Sequence, residues 1–104
     1  NIWDYDYEKK TGHCEKTLLE TDGHTDGVCS VQGIVLPNGK TKIISGSWDY
    51  TIKIWDYDSG NCEKTFSGPD GHTDGVCSVQ GITLPNGKTK IISGSRDQTI
   101  KIWR

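Results

Sequence analysis

Three side chains with the chemistry of a hydrolase triad occur twice in this chain. His24, Ser45 and Asp49 return as His72, Ser93 and Asp97, each displaced by 48 positions. A histidine that takes a hydroxyl proton while an aspartate orients it would make either serine a nucleophile. Neither serine, however, lies in the GxSxG turn that lifts a nucleophile off the end of a strand; each sits in a Ser-Gly-Ser run. A device duplicated in identical context fits a structural role better than one active centre. No catalytic residue is assigned.

The other reactive side chains lead to the same result. His13, Cys14, His24 and Cys29 offer nitrogen and sulfur donors, but no CxxC or HxxxH pair sets them at ligand spacing. No metal and no cofactor is assigned. The four cysteines, Cys14, Cys29, Cys62 and Cys77, form two equivalent pairs. Two disulfides are arithmetically possible. Duplicated strand cysteines without close spacing read instead as reduced, half-buried packing residues, and with the lack of a signal-peptide pattern this points to the cytoplasm. An alternative enzyme would have to use Cys29 or Cys77, and no base stands beside either. The glycines fall between strands, with no helix N-terminus to hold a phosphate.

What positions these residues is a repeat. Residues 22–56 align without gaps on 70–104, and 31 of the 35 positions are identical. The differences are Val35/Thr83, Trp48/Arg96, Tyr50/Gln98 and Asp56/Arg104. A shorter echo relates 2–17 to 54–65. Each unit alternates apolar and polar residues between turns. Strands are expected over 28–34, 42–47, 51–55 and 62–66, with Pro37, Asn38 and Gly39 turning the first pair. No segment has a helical apolar period. Hydrophobic residues make up only 32% of the chain, dominated by Ile, Val, Trp and Tyr, and 13 glycines supply turns. The class is all-β, built of many short antiparallel strands. Twelve basic and fourteen acidic residues are interspersed, giving a net charge of -2. No basic block suits a nucleic acid and no apolar run suits a membrane span, so neither partner is expected.

Gly23-His24, Ser45-Gly46-Ser47, Asp49 and Ile52 to Asp56 stand in order, and all but the last aspartate recur at 71–103. This pattern resembles the WD-repeat β-propeller family, and the resemblance spans the chain. Two departures are a last unit that ends Trp-Arg and a longer first hairpin. The resemblance implies two blades of four antiparallel strands each. It implies that His24, Ser45, Asp49 and Trp55, and again His72, Ser93, Asp97 and Trp103, form buried hydrogen-bonded tetrads. Ser45 and Trp55 lie equally far from residue 50, which would set them opposite one another across a reversal. It also implies a protein or peptide partner on the face of the b–c and d–a loops. There Trp48, Tyr50, Arg96 and Gln98 flank the tetrads, and Asp26 and Asp74 rim the channel.

Blades are apolar on both faces, and two alone would leave two such faces bare. The expected division is 1–21 as the end of a preceding blade, 22–69 as a blade, and 70–104 as a blade without its outer strand. Residues 1–7 finish a third strand, 13–19 form a fourth with no blade of its own, and 75–103 form three strands. The strand around Cys14–Leu19 would complete the last blade of another copy, since WD propellers close by strand exchange. The resulting expectation is a non-catalytic interaction scaffold that assembles with other copies, or with further WD blades, into a closed propeller. The alternative is a structural repeat segment, in an open filament or a long array.

Overall fold

A computed structural model describes residues 2–6, 11–16, 23–67 and 71–103. Among these run nine strands: β1 (Ile2–Asp6), β2 (Thr11–Lys16), β3 (Val28–Val35), β4 (Thr41–Ser47), β5 (Ile52–Asp56), β6 (Cys62–Phe66), β7 (Val76–Thr83), β8 (Thr89–Ser95) and β9 (Ile100–Trp103). They make an antiparallel pair β1-β2, a four-stranded sheet β3-β4-β5-β6 and a three-stranded sheet β7-β8-β9. Residues 17–19 of the expected outer strand, and Arg104, lie outside the described residues. No helix among the described residues is long and apolar enough to cross a membrane.

The turns follow from their sequences. Between β3 and β4, Gly39 takes a φ of 84°, a conformation that suits glycine, and its N–H donates to Leu36 O at 2.9 Å. The β4–β5 reversal is centred one residue earlier than the spacing argument places it. Ser45 pairs with Lys53 and Ile43 pairs with Trp55, so the midpoint is Asp49, not residue 50. Ser47 N–H to Thr51 O at 3.2 Å closes the turn and sets that register. Ser45 and Trp55 are therefore diagonal neighbours on one sheet face, still within reach of an indole. Register shifts at Val28/Ser30 and Val76/Ser78 mark matching bulges at Cys29 and Cys77.

The two larger sheets pack face to face. Ile44 and Ile52 of the first blade meet Val76, Val79 and Ile91 of the second in one buried cluster. Phe66 stacks on Trp103 with ring centroids 4.7 Å apart. Gly46 makes the contact close: a Cβ there would stand 2.6 Å from Val76 Cγ1.

Candidate functional site

The triad-like residues meet at the end of each blade, where the segment before the first strand crosses the β4–β5 turn. In the first blade, Trp55 Nε1–H donates to Ser45 Oγ at 2.9 Å, and Ser45 Oγ lies 2.6 Å from His24 Nε2. His24 Nδ1 lies 3.0 Å from Asp49 Oδ2. One proton arrangement uses every hydrogen: the Ser45 hydroxyl donates to Nε2, and Nδ1–H donates to the carboxylate. The second blade repeats the chain through Trp103, Ser93, His72 and Asp97, at 2.9, 2.7 and 2.9 Å. Each indole also meets its imidazole edge-on.

Two further side chains join the network, and the sequence reading missed them. The Thr51 hydroxyl donates to Asp49 Oδ1 and lies 3.1 Å from His24 Nδ1; Thr99 does the same in the second blade. Asp49 Oδ1 also accepts Thr51 N–H at 2.9 Å, and Oδ2 accepts Thr25 N–H at 3.0 Å. Ser47 Oγ takes the Asp49 N–H at 3.1 Å and donates to Gly27 O at 3.0 Å, which clamps the connecting segment onto the turn. An aspartate followed two residues later by threonine is a local turn signal and could have flagged Thr51 and Thr99. Desolvation by burial pushes the Asp49 carboxyl upward, but Thr51, Thr25 and His24 outweigh it and bring the pKa down to about 2. The Thr99 hydroxyl, opposed by partial desolvation and helped by His72, holds Asp97 well below the usual carboxylate range.

The order serine, histidine Nε2, histidine Nδ1, aspartate is that of a hydrolase triad, but access rules out that chemistry. Ser45 is 4% exposed and Ser93 is fully covered. Each oxygen already accepts an indole N–H, so a substrate carbonyl could not reach it. No buried side-chain nitrogen or oxygen among the described residues lacks a partner. What the arrangement does is join a connecting segment, a turn and two strands by one satisfied network.

The remaining site residues divide between the loop face and the inner strands. Trp48 is partly engaged: its ring lies against Gly75, where a Cβ would come within 2.4 Å, and the Arg96 guanidinium sits 4.7 Å from its centroid. Tyr50 and Gln98 are exposed, and both hold left-handed backbone, with φ of 74° and 73°. Asp26 and Asp74 each accept the N–H of the following glycine, at 2.7 and 2.6 Å. Cys29, Cys62 and Cys77 are free thiols. Cys29 and Cys77 are exposed rather than half-buried, because each sits at a bulge that no described neighbour covers. Partial desolvation, helped by the neighbouring Cys77, raises the Cys29 pKa and keeps the thiol protonated, which weakens it as a nucleophile. His13 and Cys14, the other sulfur and nitrogen donors, belong to β2 and are described as backbone alone. Among the described residues no three His, Cys, Asp or Glu side chains converge on one point.

A family model for the WD domain, G-beta repeat, matches residues 12–56 and again 60–104. The crystal structure of the computationally designed Ika4 protein is similar, with a TM-score of 0.61 and 25% identity over 86% of this chain and 48% of that one. The WD40 β-propeller domain of Doa1 is similar at a TM-score of 0.63 and 28% identity, over 94% of this chain and 28% of that one. The chain thus spans about half of the first structure and under a third of the second. No curated protein matches it.

Proposed function

The chain belongs to the WD-repeat family of β-propeller proteins, a family of protein-interaction scaffolds, and from that premise we propose that it is a non-catalytic scaffold whose blades work in an assembly of several copies closed by strand exchange. The loop face carries the partner-binding part of this reading. Trp48, Tyr50 and Arg96 are residue types that anchor protein interfaces, Gln98 stands on the same face, and Tyr50 and Gln98 project from turns whose backbones the tetrads hold still. Asp26 and Asp74 stand beside them and add acidic character.

The observation that carries the assembly is the outer edge of β9. In the first blade β5 lies between β4 and β6, and Ile52 is fully covered. In the second, β9 pairs only with β8 among the described residues. A bare strand edge is a template for another strand. β2 has the sequence and register for it: Trp3 pairs with Cys14 as Trp55 pairs with Cys62. Exchanging β1 for β9 trades one ladder for an equivalent one, so the swap has little cost. By the register of β5 and β6, Trp103 would then face Cys14. Two blades per chain make roughly three or four copies a closed ring.

Native mass spectrometry of the purified chain tests this. Discrete three- or fourfold multiples of 11.5 kDa are expected. A single copy at all concentrations overturns the assembly, and an open series of masses replaces the ring with a filament.

A further inference from the structure

We infer that the open sheet face of the second blade is a docking surface for the first blade of another copy, built around Gly94, Ser78 and Gln80. This rests on the reading that copies assemble, but it concerns the sheet faces, not the strand edge. The chain already makes the proposed contact once, between its own blades. There Ser30 Oγ accepts the backbone N–H of Val79 at 3.2 Å, and Gln32 Oε1 accepts that of Gly81 at 2.9 Å. These bonds satisfy donors on the free edge of β7, donors that no strand of its own sheet reaches. Val76 and Val79 seat on Gly46, where a Cβ would stand 2.6 and 2.9 Å from their Cγ1 atoms.

Every part of that contact exists a second time, unused. Forty-eight positions on, Ser30, Gln32 and Gly46 become Ser78, Gln80 and Gly94. Ser78 and Gln80 are exposed, and a Cβ built on Gly94 meets nothing within 4 Å. The opposite half is bare as well. Val28 is 53% and Val31 66% exposed, against 0% and 6% for Val76 and Val79. One end of the chain therefore presents the cradle and the other presents the residues that fill it. A partner that matches residue for residue is another copy, placed by the same rotation that relates the two blades. In that contact Val31 and Gly33 N–H donate to Ser78 Oγ and Gln80 Oε1 of the neighbour, and Val28 seats on its Gly94. The contact is head-to-tail, so it closes into a ring or propagates according to its rotation.

Gly94→Val in the full chain tests the cradle. Among the described residues nothing stands within 4 Å of the new Cβ, so circular dichroism and urea unfolding at low concentration stay as in the parent. The dissociation constant between copies rises on the order of tenfold to a hundredfold, as expected where added methyls enter a packed contact. Gln80→Ala, which removes only an acceptor exposed in the single chain, weakens association by roughly tenfold or less. Gly46→Val, the twin substitution, destabilises the single chain instead. Unchanged association of both Gly94→Val and Gln80→Ala overturns the inference, as does a parent chain that never associates. His13→Pro in the middle of β2 separates the two readings. If it alone dissociates the copies, strand exchange stands and face docking fails; if Gly94→Val alone does so, face docking stands without strand exchange.

Discussion

The two blades share 31 of 35 aligned residues, yet the same residue has different surroundings in each. Ile52 is fully buried and its twin Ile100 is 77% exposed; Val76 is fully buried and its twin Val28 is 53% exposed. The first blade has its outer strand but no described neighbour against Val28 and Val31. The second is covered on that side by the first, but among the described residues it has neither an outer strand nor a neighbour beyond Gly94. Burial here depends on which blade stands next, as in any repeat array whose units contact only their neighbours. The tetrads are the exception: every bond of the first is repeated in the second within about 0.1 Å. Local networks inside a blade survive its exposure, and the apolar faces do not.

The largest expected effect breaks the equality of the tetrads. Ser45→Ala leaves Trp55 Nε1–H and His24 Nε2 without partners, and Trp55 is only 3% exposed. Two orphaned buried groups should cost about 2–4 kcal/mol in urea unfolding. Ser93→Ala orphans the same atoms, but Trp103 is half-buried and its N–H can turn to water, so about 1–3 kcal/mol is expected. Equal losses would mean that the indole exposures do not matter.

Acid should weaken both tetrads next. The Asp49 pKa is depressed in the folded chain to about 2 from an ordinary 3.8. The unfolded chain therefore binds the proton more readily, and stability rises with pH across this window. The contribution is fully present above pH 4 and is lost as pH falls through about 2. It amounts to about 1–2 kcal/mol after allowance for solvent screening. Asp97 is likewise held below the usual carboxylate range and loses its contribution over the same fall in pH. Urea midpoints measured between pH 5 and about 2 should fall, and Asp49→Asn and Asp97→Asn should each flatten that fall.

A third substitution should find no difference between blades. Tyr50 and Gln98 hold the same left-handed backbone within a degree, at 74° and 73°. Glycine relieves that conformation for either residue, so Tyr50→Gly and Gln98→Gly should each stabilise the chain by about 0.5–1 kcal/mol. Unequal gains would show that one side chain does more than occupy a turn. If the loop face binds a partner, the same two variants should weaken that binding while raising stability.

The strands and their order were legible because alternation, turn residues and the 48-residue offset all point the same way. The residue types that meet at Ser45 and Ser93 were also legible, since each tetrad draws on a motif inside one repeat. The centre of the β4–β5 turn was not. Counting outward from residue 50 ignores the Ser47–Thr51 bond that shifts the midpoint to Asp49. Thr51 was missed because a turn hydroxyl has many possible partners, and only the fold brings His24 across to it. Cys29 and Cys77 depart from expected half-burial because a bulge re-aims them, and strand alternation carries no sign of a bulge. The Ser30 and Gln32 bonds were invisible for a related reason. A polar residue on an alternating strand shows which face it takes, but not what will stand against that face.

The smallest expected effect sharpens the comparison most, because it depends on whether a neighbour is present. Lys42 reaches Asp56 at 3.2 Å and Glu63 on β6 at 2.8 Å, and the bond to Glu63 raises its pKa. Among the described residues its twin Lys90 has no ion pair and no outer strand beside it, and the chain carries Arg104 where Asp56 stood. Solvent-screened pairs contribute little, so Lys42→Ala should lower the urea midpoint slightly at every protein concentration. Lys90→Ala should do nothing to a single chain. If β2 of another copy takes the outer place on β9, Glu15 arrives where Glu63 lies in the first blade, and Lys90 gains a partner. Its substitution should then matter only at concentrations where copies meet, and should be masked by Glu15→Ala in a double-mutant cycle. An effect of Lys90→Ala that persists at high dilution would place its partner within the chain and remove the charge argument for exchange at β9.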